Sequence, residues 1–361
     1  MAYSILYNFF LVYFPVLFLL YIWGYDRKVE EQLPAVNYYF IIYVYIISLI
    51  IISSTPATYF DGSDKGRYLY SFDTLQFSDI SDFTKDKGWY IYMCIMRVLT
   101  FGNSTFFFII TTFIYGISFW VLARRYFVKE YVGYFLVMCL GCMGFVGYAN
   151  NTIRNGIALA FCLYALSLEG KKILKLLLII LAISIHFSVA LFILTYIYTL
   201  YVRKNSLALC IWMSCLIIAI LNIDVSHFFT SITGLDNRVA DYMLNQNFSD
   251  PTYAKAGSFR WDFLLYSIAP LYIARQWKVN WGYDKFYTSI INMYLLLNSI
   301  WLLVMRVPYA DRFAFFSWFL IPMIVLYPVL KKYVFLTNIT KKVCLFMSLF
   351  ILTNFIFNFL D

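Results

Sequence analysis

Arginine and histidine stand out against the apolar bulk of this chain. Arg67, Arg154, Arg238, Arg260, Arg306 and Arg312, with His186, lie at or near the ends of apolar runs. A guanidinium grips phosphate oxygens through paired N–H donors and keeps its charge at any physiological pH, while an imidazole titrates in the range a general base needs. The set suits an anionic ligand met at a membrane edge. Carboxylates within the apolar runs, which a proton or ion relay would require, are essentially lacking in the sequence.

Spacing sharpens this for Arg154 and His186, which are equidistant from Gly170 in the basic turn "LEGKK". If the flanking runs form an antiparallel helix pair, each residue stands ~24 Å from the turn at ~1.5 Å per residue. Both then share one level near the edge of a hydrocarbon core ~30 Å thick. The stretch "NNTIRNGIALAF" puts Arg154 in the first turn of its helix, with Asn151 or Thr152 as N-cap. Free N–H groups, the helix dipole and the guanidinium would converge on one spot that favours phosphate or pyrophosphate. The alternatives are an arginine that snorkels to lipid head groups and a buried imidazole bonded to a backbone carbonyl.

Two further stretches carry candidate chemistry. In "MRVPYADRF", Arg306 ends one run and Arg312 precedes the next, the Pro308 turn holds them close, and Asp311 can orient one guanidinium. A plain loop ion pair accounts for the same residues. In "YFDGSDKGRYLYSF", Asp61, Asp64, Lys65 and Arg67 mix with Tyr59, Tyr68 and Tyr70. Carboxylates can accept protons from sugar hydroxyls and aromatic faces pack on sugar rings, although interface tyrosines and solvated charges give the same composition. The spacing of Asp61 and Asp64, with no accompanying His or Glu cluster, implies no metal. Nothing resembles a nucleophile elbow, a P-loop or a dinucleotide fingerprint, and no cofactor is expected.

The elements that must position these residues follow from composition. The chain of 361 residues is 63% hydrophobic and 13% charged, against about 25% charged in soluble proteins, which excludes a soluble globular fold. The apolar runs do not alternate every second residue, which excludes a membrane barrel. We expect an all-α, polytopic helical bundle forming a single transmembrane domain over 1–361. Its twelve spans lie near 3–23, 38–53, 104–122, 131–148, 152–168, 172–186, 188–202, 206–223, 259–274, 287–304, 313–330 and 343–359. The first lacks a basic leader and a cleavage site and reads as an uncleaved span.

Net charge is +9, but the cations are scattered, so nucleic acid is not an expected partner. Arg27/Lys28, Arg124/Arg125/Lys129, Lys171/Lys172/Lys175, Arg203/Lys204, Arg275/Lys278/Lys285 and Lys331/Lys332/Lys341/Lys342 fall on one side, which the positive-inside rule makes cytoplasmic. The other side holds two polar segments: 54–103, in which 88–103 reads as an amphipathic interfacial helix, and the loop 224–258. The stretch from Lys171 to Arg203 reads as two short helices. The seven cysteines are an odd number and mostly fall in apolar runs, so no disulfide framework is expected; the CxxC of Cys139 and Cys142 reads as buried thiols.

The order of these motifs, a "D-x-x-D-x-x-x-Y" segment, "IRNGIALAFCLYAL", "GKKILK", "LAISIHFSVALF" and a late "R…DRF…P", resembles the EpsG-like branch of the Wzy family over roughly residues 38 to 330. Those are bacterial polymerases of O-antigen and exopolysaccharide repeat units. The resemblance implies a metal-independent glycosyltransferase in the bacterial inner membrane with its active site facing the periplasm. Its partners would be a polyprenyl-diphosphate-linked oligosaccharide donor and acceptor, membrane lipids and a chain-length regulator. The residue reading fits it: we assign Arg154, Arg306 and Arg312, with Arg67 and Arg260, to the diphosphate, and His186 as base or as the group that orients the acceptor or the phosphate. Asp64 and Asp311 are alternative bases, and Tyr68 and Tyr70 glycan contacts. An O-antigen ligase or a lipid-linked oligosaccharide flippase are the competing functions.

Overall fold

Backbone N–H and C=O groups within a bilayer must pair inside their own segment, and the apolar runs here do so as helices. The computed structural model describes residues 2–24, 33–59, 63–168, 170–202, 204–223, 258–281, 284–307, 310–331 and 338–360, and among them every regular element is helical. Expectations that fall on Asp61, Arg238, Pro308 and most of 224–258 lie outside the described residues.

In chain order the helices are α1 (Ile5–Trp23), α2 (Tyr38–Ser53), α3 (Asp64–Thr74), α4 (Lys87–Leu99), α5 (Ser104–Tyr126), α6 (Val132–Leu140), α7 (Met143–Asn150) and α8 (Ile153–Ser167). They continue with α9 (Lys172–Ile185), α10 (Val189–Tyr201), α11 (Asn205–Ile220), α12 (Trp261–Trp281), α13 (Lys285–Val304), α14 (Asp311–Trp318), α15 (Ile321–Lys331) and α16 (Ile339–Leu360). Short polar side chains set several starts by accepting an N–H of the first turn: Asn37 for α2, Ser63 for α3, Asn103 for α5 and Asp284 for α13.

Helix occupies all twelve expected segments, yet among the described residues five helices, or six if a bent pair is one span, are long and apolar enough to cross a membrane. The α2, α8, α10 and α11 helices are apolar but shorter than the usual span, which needs about 20 residues. The expected span 131–148 is two pieces, α6 and α7, meeting at 72°. The region 172–202 breaks in two at 186–188, as its charges suggest.

The chain divides into two compact units, 1–193 with 325–361, and 194–324. In the first, every residue of α6 is buried, with α2 and α5 packed around it, while α8 lies between α5 and α9. Helix α9 leaves Ile173, Leu176, Leu177 and Ile180 exposed, an apolar face suited to lipid. Helix α4 buries Trp89, Met93 and Met96 but also exposes Ile91, Ile95, Val98 and Leu99, a pairing that fits an interfacial helix better than one surrounded by water.

In the second unit α11 and α14 pack on α13, and a neutral polar network ties the helices together. Asn298 accepts from Trp212 Nε1 at 2.8 Å and donates to Ser267 Oγ at 3.1 Å and Ser317 Oγ at 3.0 Å. Trp318 Nε1 donates to the same Ser267 Oγ at 2.9 Å. Polar residues between apolar helices act as specific ties, because leaving one unpaired there is costly.

Candidate functional site

The site in the first unit grows from two places where backbones approach too closely for a side chain. At the corner between α7 and α8, Asn151 and Thr152 N–H groups both donate to the Gly147 carbonyl at 3.0 Å. A Cβ on Gly156 would lie 2.5 Å from the Tyr148 carbonyl oxygen, so only glycine lets α8 fold back onto the end of α7. That contact fixes the first turn of α8, and with it Arg154. The second approach joins the start of α4 to the end of α9, where a Cβ on Gly88 would lie 2.7 Å from the Ser184 carbonyl carbon and 2.8 Å from its oxygen. It brings Asp86, two residues before Gly88, against His186, two residues after Ser184.

Three side chains meet there. Arg154 Nη1 is 3.1 Å and His186 Nδ1 3.0 Å from Asp86 Oδ2, and the Phe187 N–H donates to Asp86 Oδ1 at 3.0 Å. The side chains of Asp86, Arg154 and His186 are 8%, 11% and 15% exposed, so the cluster is sheltered but reachable. Burial alone would push the Asp86 carboxyl up; the His186 hydrogen bond and charge, the Arg154 charge and the Phe187 N–H together hold it below its ordinary value. Arg154 Nε and Ser188 Oγ are buried with no hydrogen-bond partner. Buried donors are rarely left so, and each costs about 1–3 kcal/mol when unpaired.

The shared level of Arg154 and His186 is thus realised through one carboxylate. Through Nδ1, His186 bonds that carboxylate. The expected N-cap is not formed: Asn151 Oδ1 accepts the Asp64 N–H at 3.1 Å, Thr152 Oγ1 donates to the Gly147 carbonyl at 3.3 Å, and neither caps α8. Both side chains are taken by the corner, which leaves the first turn of α8 without a side-chain cap. Sequence spacing alone does not single out Asp86. Its one signal is an acid directly ahead of an apolar helical run, in "KDKGWYIYM".

Of the other expected residues, Asp64 opens α3 and pairs with Arg67, whose side chain is 48% exposed. Through Asn151 this pair sits beside the α7–α8 corner. Lys65 donates to the Ser53 and Thr55 carbonyls at 2.8 Å, closing the end of α2, and burial pushes its ammonium down to about 8. The Tyr68 ring meets Trp89 edge-on at 5.1 Å, whereas Tyr70 is exposed beside Tyr59 at 5.7 Å.

The remaining candidates form a cluster within the second unit. Arg260 pairs with Asp262 at 2.7 Å and lies 3.6 Å over the Phe263 ring. Arg306 lies 5.6 Å over Phe259, and its Nη2 donates to the Ala219 carbonyl at 3.4 Å. The charges of Arg312 and Arg260 both act on Asp311. The end of α11, the start of α12, the end of α13 and the start of α14 therefore meet, with three arginines among them.

The profile of the EpsG family matches residues 41–361. No curated protein and no solved structure matches the chain. With the family match running from α2 to residue 361 and through both candidate clusters, this membrane protein belongs to the EpsG family.

Proposed function

We propose that the chain is a polysaccharide polymerase of the inner membrane that transfers a growing glycan from polyprenyl diphosphate to the terminal sugar of another lipid-linked repeat unit at the periplasmic face. The observation that carries this reading is Arg154: a sheltered guanidinium, its Nε buried and unpartnered, at the uncapped N-terminus of α8 and sharing a carboxylate with an imidazole. Helix N-terminal N–H groups and a guanidinium together favour a phosphate dianion, and donors aimed at a leaving diphosphate stabilise the charge that develops there.

In this reaction an acceptor hydroxyl oxygen bonds to the anomeric carbon of the donor. The bond from that carbon to the diphosphate oxygen breaks, and the electron pair leaves on the diphosphate. Arg154 contacts the diphosphate and His186 takes the hydroxyl proton. Arg306 and Arg312, with Arg260 and Arg67, serve the same class of ligand, the lipid-linked diphosphate. Guanidinium charge does the neutralising, so the scheme is metal-independent. Asp64 and Asp311 are secondary candidates for base, while Tyr68 and Tyr70 offer ring surface to the sugars. Family membership supports the reading.

The test is a gel of surface glycan from a host lacking the gene, complemented with wild type, Arg154→Ala or His186→Ala. The wild-type gene restores a ladder, and both variants leave a single-repeat band, because flipping and ligation of one unit continue. Loss of every repeat-bearing band in the deletion host points instead to a ligase or flippase. A full ladder with both variants overturns the site assignment.

A further inference from the structure

The Asp86 carboxylate is held from three directions, and none of them serves its own helix. An acid at an N-cap position ordinarily turns onto the first free N–H groups, but Asp86 makes no side-chain cap to α4. Its backbone is left-handed, with φ at 56°, a conformation uncommon outside glycine and most tolerated by Asn and Asp. That turn sends the carboxylate away from α4 and toward the break between α9 and α10. There one oxygen is anchored by the Phe187 N–H, next in sequence to His186, and the other meets His186 Nδ1 and Arg154 Nη1. The carboxylate is therefore fixed to the same backbone as the imidazole it holds.

On the reading of the site given above, we infer that Asp86 is the positioning residue of the reaction: its carboxylate accepts a hydrogen bond from the Nδ1–H of His186, placing the ring's lone pair on Nε2 for the acceptor hydroxyl. A ring nitrogen bonded to a carboxylate carries the proton, which sets the tautomer. As the acceptor oxygen bonds the anomeric carbon and the carbon–oxygen bond to the diphosphate breaks, the hydroxyl proton passes to Nε2. The imidazolium so formed lies against Asp86 and later yields its proton to the diphosphate or to water. The same carboxylate engages Arg154 through Nη1, and the buried Nε is not spent on it.

Among the described residues, Asp86, ahead of α4, and Arg154, from α8, are charged groups set against the imidazole. Lys85 and Lys87 flank Asp86 but are exposed, and α9 carries its lysines, Lys172 and Lys175, at its far end. Asp86 favours the protonated ring and Arg154 opposes it. Removing the anion therefore makes the imidazole a weaker base.

The test uses purified full-length protein in liposomes, with lipid-linked repeat unit as donor and acceptor, and initial rates read across pH. Asp86→Asn is expected to lower kcat by about 100-fold or more, to leave KM within about threefold, and to move the acid limb of the profile to lower pH. Asp86→Glu keeps the anion but displaces the ring: its acid limb stays in place while kcat falls about tenfold. A kcat within about threefold of wild type, or an acid limb that Asp86→Asn does not move, overturns the inference. If Asp86→Asn fails to assemble, Asp86→Glu decides by the same kcat criterion. Activity that survives Arg154→Ala and His186→Ala would remove the underlying reading, whereas loss in those two with normal Asp86 variants removes this inference alone.

Discussion

In the first unit Asp86, Arg154 and His186 meet at helix ends, carry or acquire charge, and keep 8–15% of their side-chain surface exposed. In the second unit Asn298, Ser267 and Ser317 meet inside a helix packing, are neutral, and are 0% exposed. The neutral network uses both amide hydrogens and the carbonyl of Asn298. The charged cluster leaves Arg154 Nε and Ser188 Oγ unpaired in buried positions. A network built only to hold helices closes on itself, since each unmet donor costs stability. The proposed ligand site keeps donors in reserve, in line with stability being given up where function is placed.

The contrast can be broken most sharply at the glycines that build the charged cluster. Gly156→Ala would press a methyl group onto the Tyr148 carbonyl, and Gly88→Ala onto the Ser184 backbone. Each is expected to cut polymerisation by at least about tenfold and stability by about 1–3 kcal/mol, measured as polymer yield per assembled protein and thermal unfolding in detergent. Wild-type yield from both would show that the close approaches do not position the site.

Asn298→Ala should show the opposite balance. It removes the acceptor of Trp212 Nε1 and one partner each of Ser267 and Ser317, so stability should fall by about 1–3 kcal/mol while turnover per assembled protein stays within about twofold. Activity lost without a change in unfolding temperature would mean that the neutral network is not merely structural.

The smallest effect concerns pH. Because the folded-state value of Asp86 lies below its unfolded value, its contribution is fully present above the unfolded value, about 4, and is lost as pH falls through the folded one. Thermal stability should therefore show an acid limb below about pH 4 that is smaller in Asp86→Asn. Identical limbs in both proteins would show that Asp86 does not carry it.

How much of this could be read from residues alone varies with the distance of the interaction along the chain. Helix positions follow from the apolar runs, and caps such as Asn37 and Asn103 act within three residues. The common level of Arg154 and His186 followed from counting along one helix pair about Gly170. Asp86 did not follow, because it meets His186 across 100 residues of sequence, through a backbone approach that only the Gly88–Ser184 contact reveals. The 72° break between α6 and α7 was hidden because an apolar run reads alike whether straight or broken. The missing cap of α8 was hidden because Asn151 is claimed by Asp64 from a distant segment.

The most direct test is chain elongation by the purified protein in liposomes supplied only with lipid-linked repeat unit, comparing wild type with Arg154→Ala and His186→Ala. Wild type is expected to give multi-repeat product and released polyprenyl diphosphate, and each variant at least a 100-fold lower rate with an unfolding temperature close to wild type. Elongation at the wild-type rate in both variants would contradict the site assignment.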